Sequence, residues 1–104
     1  MAYAERGMSA PPEVVYNTAT DPDRIAAWLP EPLLSAPRDA DPDGLRARWS
    51  ARDTDWSAEL RVEPEDTGGA RAWLDLAGDG QADRLADEAL DNLAREVADN
   101  LQAG

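Results

Sequence analysis

Between Leu45 and Leu76 the chain alternates apolar and polar residues three times over, and its last fifth then changes to a helical period. Together these two patterns leave few folds open. Leu45, Ala47, Trp49 and Ala51 alternate with Arg46, Arg48, Ser50 and Arg52. Trp56, Ala58, Leu60 and Val62 alternate with Ser57, Glu59, Arg61 and Glu63, and Ala70, Ala72, Leu74 and Leu76 with Arg71, Trp73 and Asp75. A period of two puts each apolar set on one side of a strand. Asp53-Thr54-Asp55 and the stretch Pro64 to Gly69 carry turn residues between the strands, so an antiparallel meander with one dry face is expected. From Asp83, Leu85, Ala86, Ala89, Leu90, Leu93, Val97 and Leu101 recur at three- and four-residue spacing. This predicts a helix of about 20 residues whose apolar stripe lies across the dry face.

The other side of the meander is charged. Arg46 and Arg48 are expected beside Glu59 and Glu63, with Arg71 across from them, in pairs worth about 0.2–1 kcal/mol each. Trp73 falls on this outer side, where it covers arginine stems or marks a contact surface.

Ahead of the meander, residues 1–8 fit a first strand. Ser9 is a candidate helix cap, and Pro11 and Pro12 suit a first turn, where a missing N–H costs nothing. Val14, Val15 and Ala19 give that helix an apolar side; Asn17, Thr18 and Thr20 stop it after about two turns. Asp21 caps again, Pro22 takes the first helical position, and Ile25, Trp28 and Leu29 fall at helical spacing before Pro30 and Pro32. Residues 33–37 are expected as a brief strand and residues 38–44, dense in turn formers, as a turn.

The 104 residues suffice for one domain, 1–104, with a single core. Ten arginines without a lysine stand against 22 acidic residues, giving a net charge of −12. That field repels phosphate backbones and anionic headgroups, so neither nucleic acid nor a membrane is an expected partner. Absence of cysteine and histidine removes disulfides, thiolate nucleophiles, imidazole bases and His-ligated zinc. Asp39, Asp41, Asp43 and Gly44 resemble the start of a calcium loop, but Ser50 stands where the bidentate glutamate belongs, and no metal or cofactor is expected. Residues 1–10, MAYAERGMSA, lack the cationic start and apolar run of a signal peptide, and no apolar stretch nears the roughly 20 residues that span a bilayer, so neither a leader nor a membrane span is expected. A soluble protein of the reducing cytoplasm is the expectation.

Two motifs carry a family resemblance. Ala10-Pro11-Pro12-Glu13-Val14-Val15-Tyr16 resembles the opening of the first helix in the START-like, or SRPBCC, superfamily, and Asp21 to Leu29 resembles its second helix. The run from Asp83 to Leu101 resembles its long grip helix. The nearest branches in flavour are the polyketide cyclase/dehydrase-like and the activator-of-heat-shock-ATPase-like proteins. The resemblance implies an α+β helix-grip fold, in which a curved antiparallel sheet packs on a long C-terminal helix. Only about 50 residues separate Trp28 from that helix, so a shortened sheet of about five strands is expected here.

In this superfamily the ligand lies between the concave sheet face and the long helix. The resemblance then places Tyr16 at the mouth of that space, with Trp28, Trp49, Trp56, Leu60, Leu74, Leu76, Leu90, Leu93 and Val97 lining it. Two readings stay open: the tryptophans stack on a flat apolar ligand beside small alanines, or indoles and methyls simply fill each other's gaps. The inward strand positions supply no acid or base, so no catalytic residue is expected; Tyr16, Asn17 and Arg24 are the polar groups nearest the mouth. The expected function is non-catalytic binding of an apolar small molecule or a protein partner, by a monomer or a homodimer that closes an open sheet edge. A cyclase/dehydrase-like enzyme and an acidic interaction module are the alternatives.

Overall fold

The structure, a computed structural model, describes residues 2–51, 54–66, 68–78 and 80–103. The elements follow in the order β1 (Ala2–Met8), α1 (Pro12–Thr20), α2 (Ile25–Trp28), a 3-10 turn (Glu31–Leu33), β2 (Arg38–Asp41), β3 (Arg46–Ser50), β4 (Ser57–Pro64), β5 (Ala70–Ala77) and α3 (Ala82–Ala103). Met1, Arg52, Asp53 and Thr67, which the expected strands and turns include, lie outside the described residues.

The strands form one antiparallel sheet in the order β1-β5-β4-β3-β2. Alternation sorts its two faces as expected. Ala47, Trp49, Ala58, Leu60, Val62, Ala70, Ala72, Leu74 and Leu76 are all buried on the inner face. α3 crosses that face over β1 and β5 and also meets α1 and α2. It buries Ala86, Ala89, Leu90, Leu93 and Val97. This is the helix-grip arrangement of an α+β fold, with five strands.

Several local expectations are corrected. Residues 33–37 are not a strand: Pro32 and Pro37 bound a tight turn in which Leu34 and Ala36 donate to the Glu31 and Leu33 carbonyls. The strand comes later, within residues expected as turn. β2 pairs Arg38, Asp39, Ala40 and Asp41 with Trp49, Arg48, Ala47 and Arg46, so pairing with β3 overrides poor strand propensity. Leu45 ends the turn rather than opening β3; its φ of 52° is left-handed, a costly conformation for a residue with a Cβ. Its carbonyl still accepts the Val62 N–H at 3.0 Å. Ser9 does not cap α1, whose N-cap is Pro11. Nor does Asp21 cap α2, whose N-cap is Arg24: Asp21 accepts the Asp23 N–H at 2.9 Å within the preceding turn, and Pro22 lies in that turn rather than at the first helical position.

Candidate functional site

α1 ends early because its threonines bend back on it. Thr18 and Thr20 donate their hydroxyls to the carbonyls of Val14 and Tyr16, at 2.7 and 2.9 Å, which competes with continued helix. The terminal carbonyls then need other donors. Asp21 N–H serves Thr18, the Trp28 indole N–H serves Ala19 at 3.0 Å, and Arg38 serves Thr20 at 2.6 Å. A cation at a helix C-terminus is also favoured by the helix dipole.

Trp28 is thereby fixed where its ring meets Trp49 from β3 edge to face, with centroids 5.5 Å apart and planes at 78°. Leu60 and Leu74 from the sheet and Leu90, Leu93 and Val97 from α3 belong to the same buried cluster. Tyr16 joins them and donates its hydroxyl to the Arg46 carbonyl at 3.0 Å; burial pushes its phenol pKa up. Thr18, fully buried, accepts from Asn100 of α3 at 3.0 Å. Trp56 differs from the rest. It is half-buried just before β4 and lies across Gly78, where an added Cβ would come within 2.4 Å of its ring.

The structure thus brings Tyr16, Trp28, Trp49, Leu60, Leu74, Leu76, Leu90, Leu93 and Val97 into one closed cluster, with Trp56 at its rim. Asn17 points away from it, exposed. Arg24 spans the outside, bonded to Glu96 at 3.1 Å and Asp99 at 3.0 Å, and the Asp99 hydrogen bond is the main cause of its raised pKa. The Tyr16 and Thr18 hydroxyls and the Trp28 indole N–H are each committed to a protein partner, so what the cluster presents inward is mainly apolar surface and indole rings.

Open depressions among the described residues lie elsewhere. One, of about 350 Å³, is lined by Met8 to Pro11 with Gly68 and Gly69. Three others, of about 440, 150 and 120 Å³, share Glu59 and lie along the outer sheet face. There the register departs from expectation. Arg48 does meet Glu59 at 3.4 Å and Arg71 does stand directly opposite Glu63, though its ion pairs run to Glu65 at 3.0 Å and Glu5 at 3.8 Å; the departure is Arg46, which stands opposite Arg61. Trp73 covers an arginine: the Arg61 guanidinium sits 4.9 Å from its ring centroid, while its indole N–H bonds Glu5 at 2.6 Å. Alternation placed these side chains on one face; only the register, set by the turns, says which stand opposite. Among the described residues no helix is long and apolar enough to cross a membrane, and no three acidic residues converge as a metal site would need.

No protein-family model and no curated protein matches this chain. Solved structures do match in fold. TTHA0849 from Thermus thermophilus is similar at a TM-score of 0.76 with 19% identity, over 95% of this chain and 97% of that one. DynU16, a protein in the dynemicin biosynthetic locus, is similar at 0.66 and 17%, over 95% of this chain and 47% of its own length. CalU16 from Micromonospora echinospora is similar at 0.58 and 21%, over 97% and 83%. Likeness at these identities establishes the fold alone, an α+β helix grip.

Proposed function

We propose that the protein is a non-catalytic member of the helix-grip class that takes a flat apolar molecule between its sheet and α3, against the Trp28–Trp49 pair. The observation that carries this reading is the commitment of the interior polar groups. The Tyr16 hydroxyl, the Thr18 hydroxyl and the Trp28 indole N–H each hold a protein partner, so among the described residues none of these groups is free to act as acid, base or nucleophile on a substrate there. What the cluster presents is indole and aliphatic surface, the kind of lining suited to an apolar ligand.

The cluster is closed, with Trp49 only 1% exposed, so uptake requires the C-terminal part of α3 to lift. Its polar ties are few: Arg24 to Glu96 and Asp99, and Asn100 to Thr18. Partly exposed ion pairs contribute little. The occurrence of the same fold in DynU16, from a biosynthetic locus, is compatible with small-molecule work but carries no residue roles to this chain.

The test is a fluorescence titration with planar, uncharged aromatic probes in a Trp56→Phe/Trp73→Phe variant, which leaves only the inner indole pair. Saturable quenching with a spectral shift is expected. An unchanged spectrum across the panel, in a variant whose circular dichroism matches the parent, contradicts the reading.

A further inference from the structure

On the outer face the register sets Arg46 directly opposite Arg61 and, two residues along β4, Glu59 directly opposite Asp75. Like charges in directly opposed positions destabilise a sheet. A chain with 22 acidic residues and ten arginines has carboxylates to spare for every guanidinium, yet among the described residues neither Arg46 nor Asp75 forms an ion pair. Arg61 pairs sideways with Glu63 at 3.6 Å, and Glu59 with Arg48 at 3.4 Å. Each row has an opposite charge on its β2 or β3 flank, Asp41 opposite Arg46 and Arg48 opposite Glu59, yet the two like-charged contacts themselves remain, and breaches of a local rule of this kind occur at functional sites.

These four side chains and Trp73 line one depression of about 120 Å³. One wall is cationic and one anionic, and Trp73, anchored on Glu5 and covered in part by Arg61, forms an aromatic one. The volume is well below the roughly 300–1,000 Å³ of a drug-sized pocket. A simple anion would gain the arginines but face Glu59, Asp75 and a net charge of −12; a simple cation would meet the reverse at Arg46 and Arg61. A dipolar ion satisfies both walls.

We propose that this depression binds a small zwitterion of the amino-acid type, with its carboxylate on Arg46 and Arg61, its ammonium on Glu59 and Asp75, and its carbon chain against Trp73. The two charged rows lie two residues apart along the strands, about 7 Å at the backbone. The site therefore selects ligands by the separation of their charges. This proposal stands apart from the inner site and does not depend on it.

The experiment is a ¹⁵N-resolved titration of the full chain with α-, γ- and ε-amino acids, each beside its N-acetylated and its amidated form. Saturable shifts of the Trp73 indole N–H and of amides on β3, β4 and β5 are expected with at least one zwitterion, at millimolar dissociation constants. Removing either charge from that ligand is expected to weaken binding about tenfold or more, a difference of about 1.4 kcal/mol or more. Arg46→Ala and Asp75→Ala, both at exposed positions, are expected to do the same while leaving the rest of the spectrum in place. Equal binding of the singly charged analogues overturns the proposal, as do binding that survives both substitutions and the lack of any saturable shift up to about 50 mM ligand.

Discussion

Trp28 donates its indole N–H to the carbonyl of Ala19 across 3.0 Å, so the side chain that packs the grip also closes the end of α1. One residue therefore couples the short helices to the sheet, because the same ring meets Trp49 of β3. Trp28→Phe keeps an aromatic ring but leaves a buried carbonyl without its donor. A loss of about 1–3 kcal/mol is expected in urea denaturation. Trp28→Ala adds a cavity and is expected to cost more, about 3–5 kcal/mol.

Asn100 and Thr18 join the far end of α3 to α1 at 3.0 Å, with Thr18 also donating to Val14. A double-mutant cycle with Asn100→Ala and Thr18→Val is expected to give a coupling of about 0.5–1.5 kcal/mol. Additive losses would mean that the bond does not hold α3 down.

Two glycines sit where a methyl group has no room. An added Cβ on Gly69 would lie 2.5 Å from the Met8 carbonyl oxygen, and one on Gly78 would meet the Trp56 ring at 2.4 Å. Gly80 has nothing within 4 Å and is the control. Gly69→Ala is expected to lower the melting temperature because backbone must shift. Gly78→Ala is expected to displace Trp56 and move its emission towards the red, and Gly80→Ala to do neither.

Burial raises the pKa of Tyr16 above its ordinary value near 10. The folded state therefore holds the neutral phenol more strongly than the unfolded chain does. This contribution is complete below pH 10 and is lost as pH rises through the raised folded value. Stability measured by chemical denaturation is expected to fall across that window in the parent and to fall less in Tyr16→Phe. An identical pH dependence in both would show that Tyr16 ionises freely in the fold.

The grip was legible in the sequence because burial writes a period. The alternation from Ala47 to Leu76 and the helical spacing from Leu85 to Val97 named what β3, β4 and β5 and most of what α3 give to the inner cluster, and Trp73 was correctly placed outside. β2 was missed for the opposite reason. Its four residues are all exposed, so no apolar pattern marks them, and they are held only by pairing with β3. The opposition of Arg46 to Arg61 was likewise hidden, since alternation gives the face of a residue while turn geometry gives its partner. Trp56 fell between the two cases: its parity matched the inner set, but it precedes β4 and covers Gly78 at the rim.

The central claim is that an apolar ligand lodges against the inner indole pair, and the Trp28 indole N–H reports on it most directly. Its bond to Ala19 and its burial, at 2% exposure, set that resonance apart from the surface Trp73. Titration with a planar uncharged aromatic probe is expected to shift the Trp28 indole signal saturably while leaving the Trp73 signal in place. A Trp28 signal that stays fixed while Trp73 or no indole responds would contradict the account.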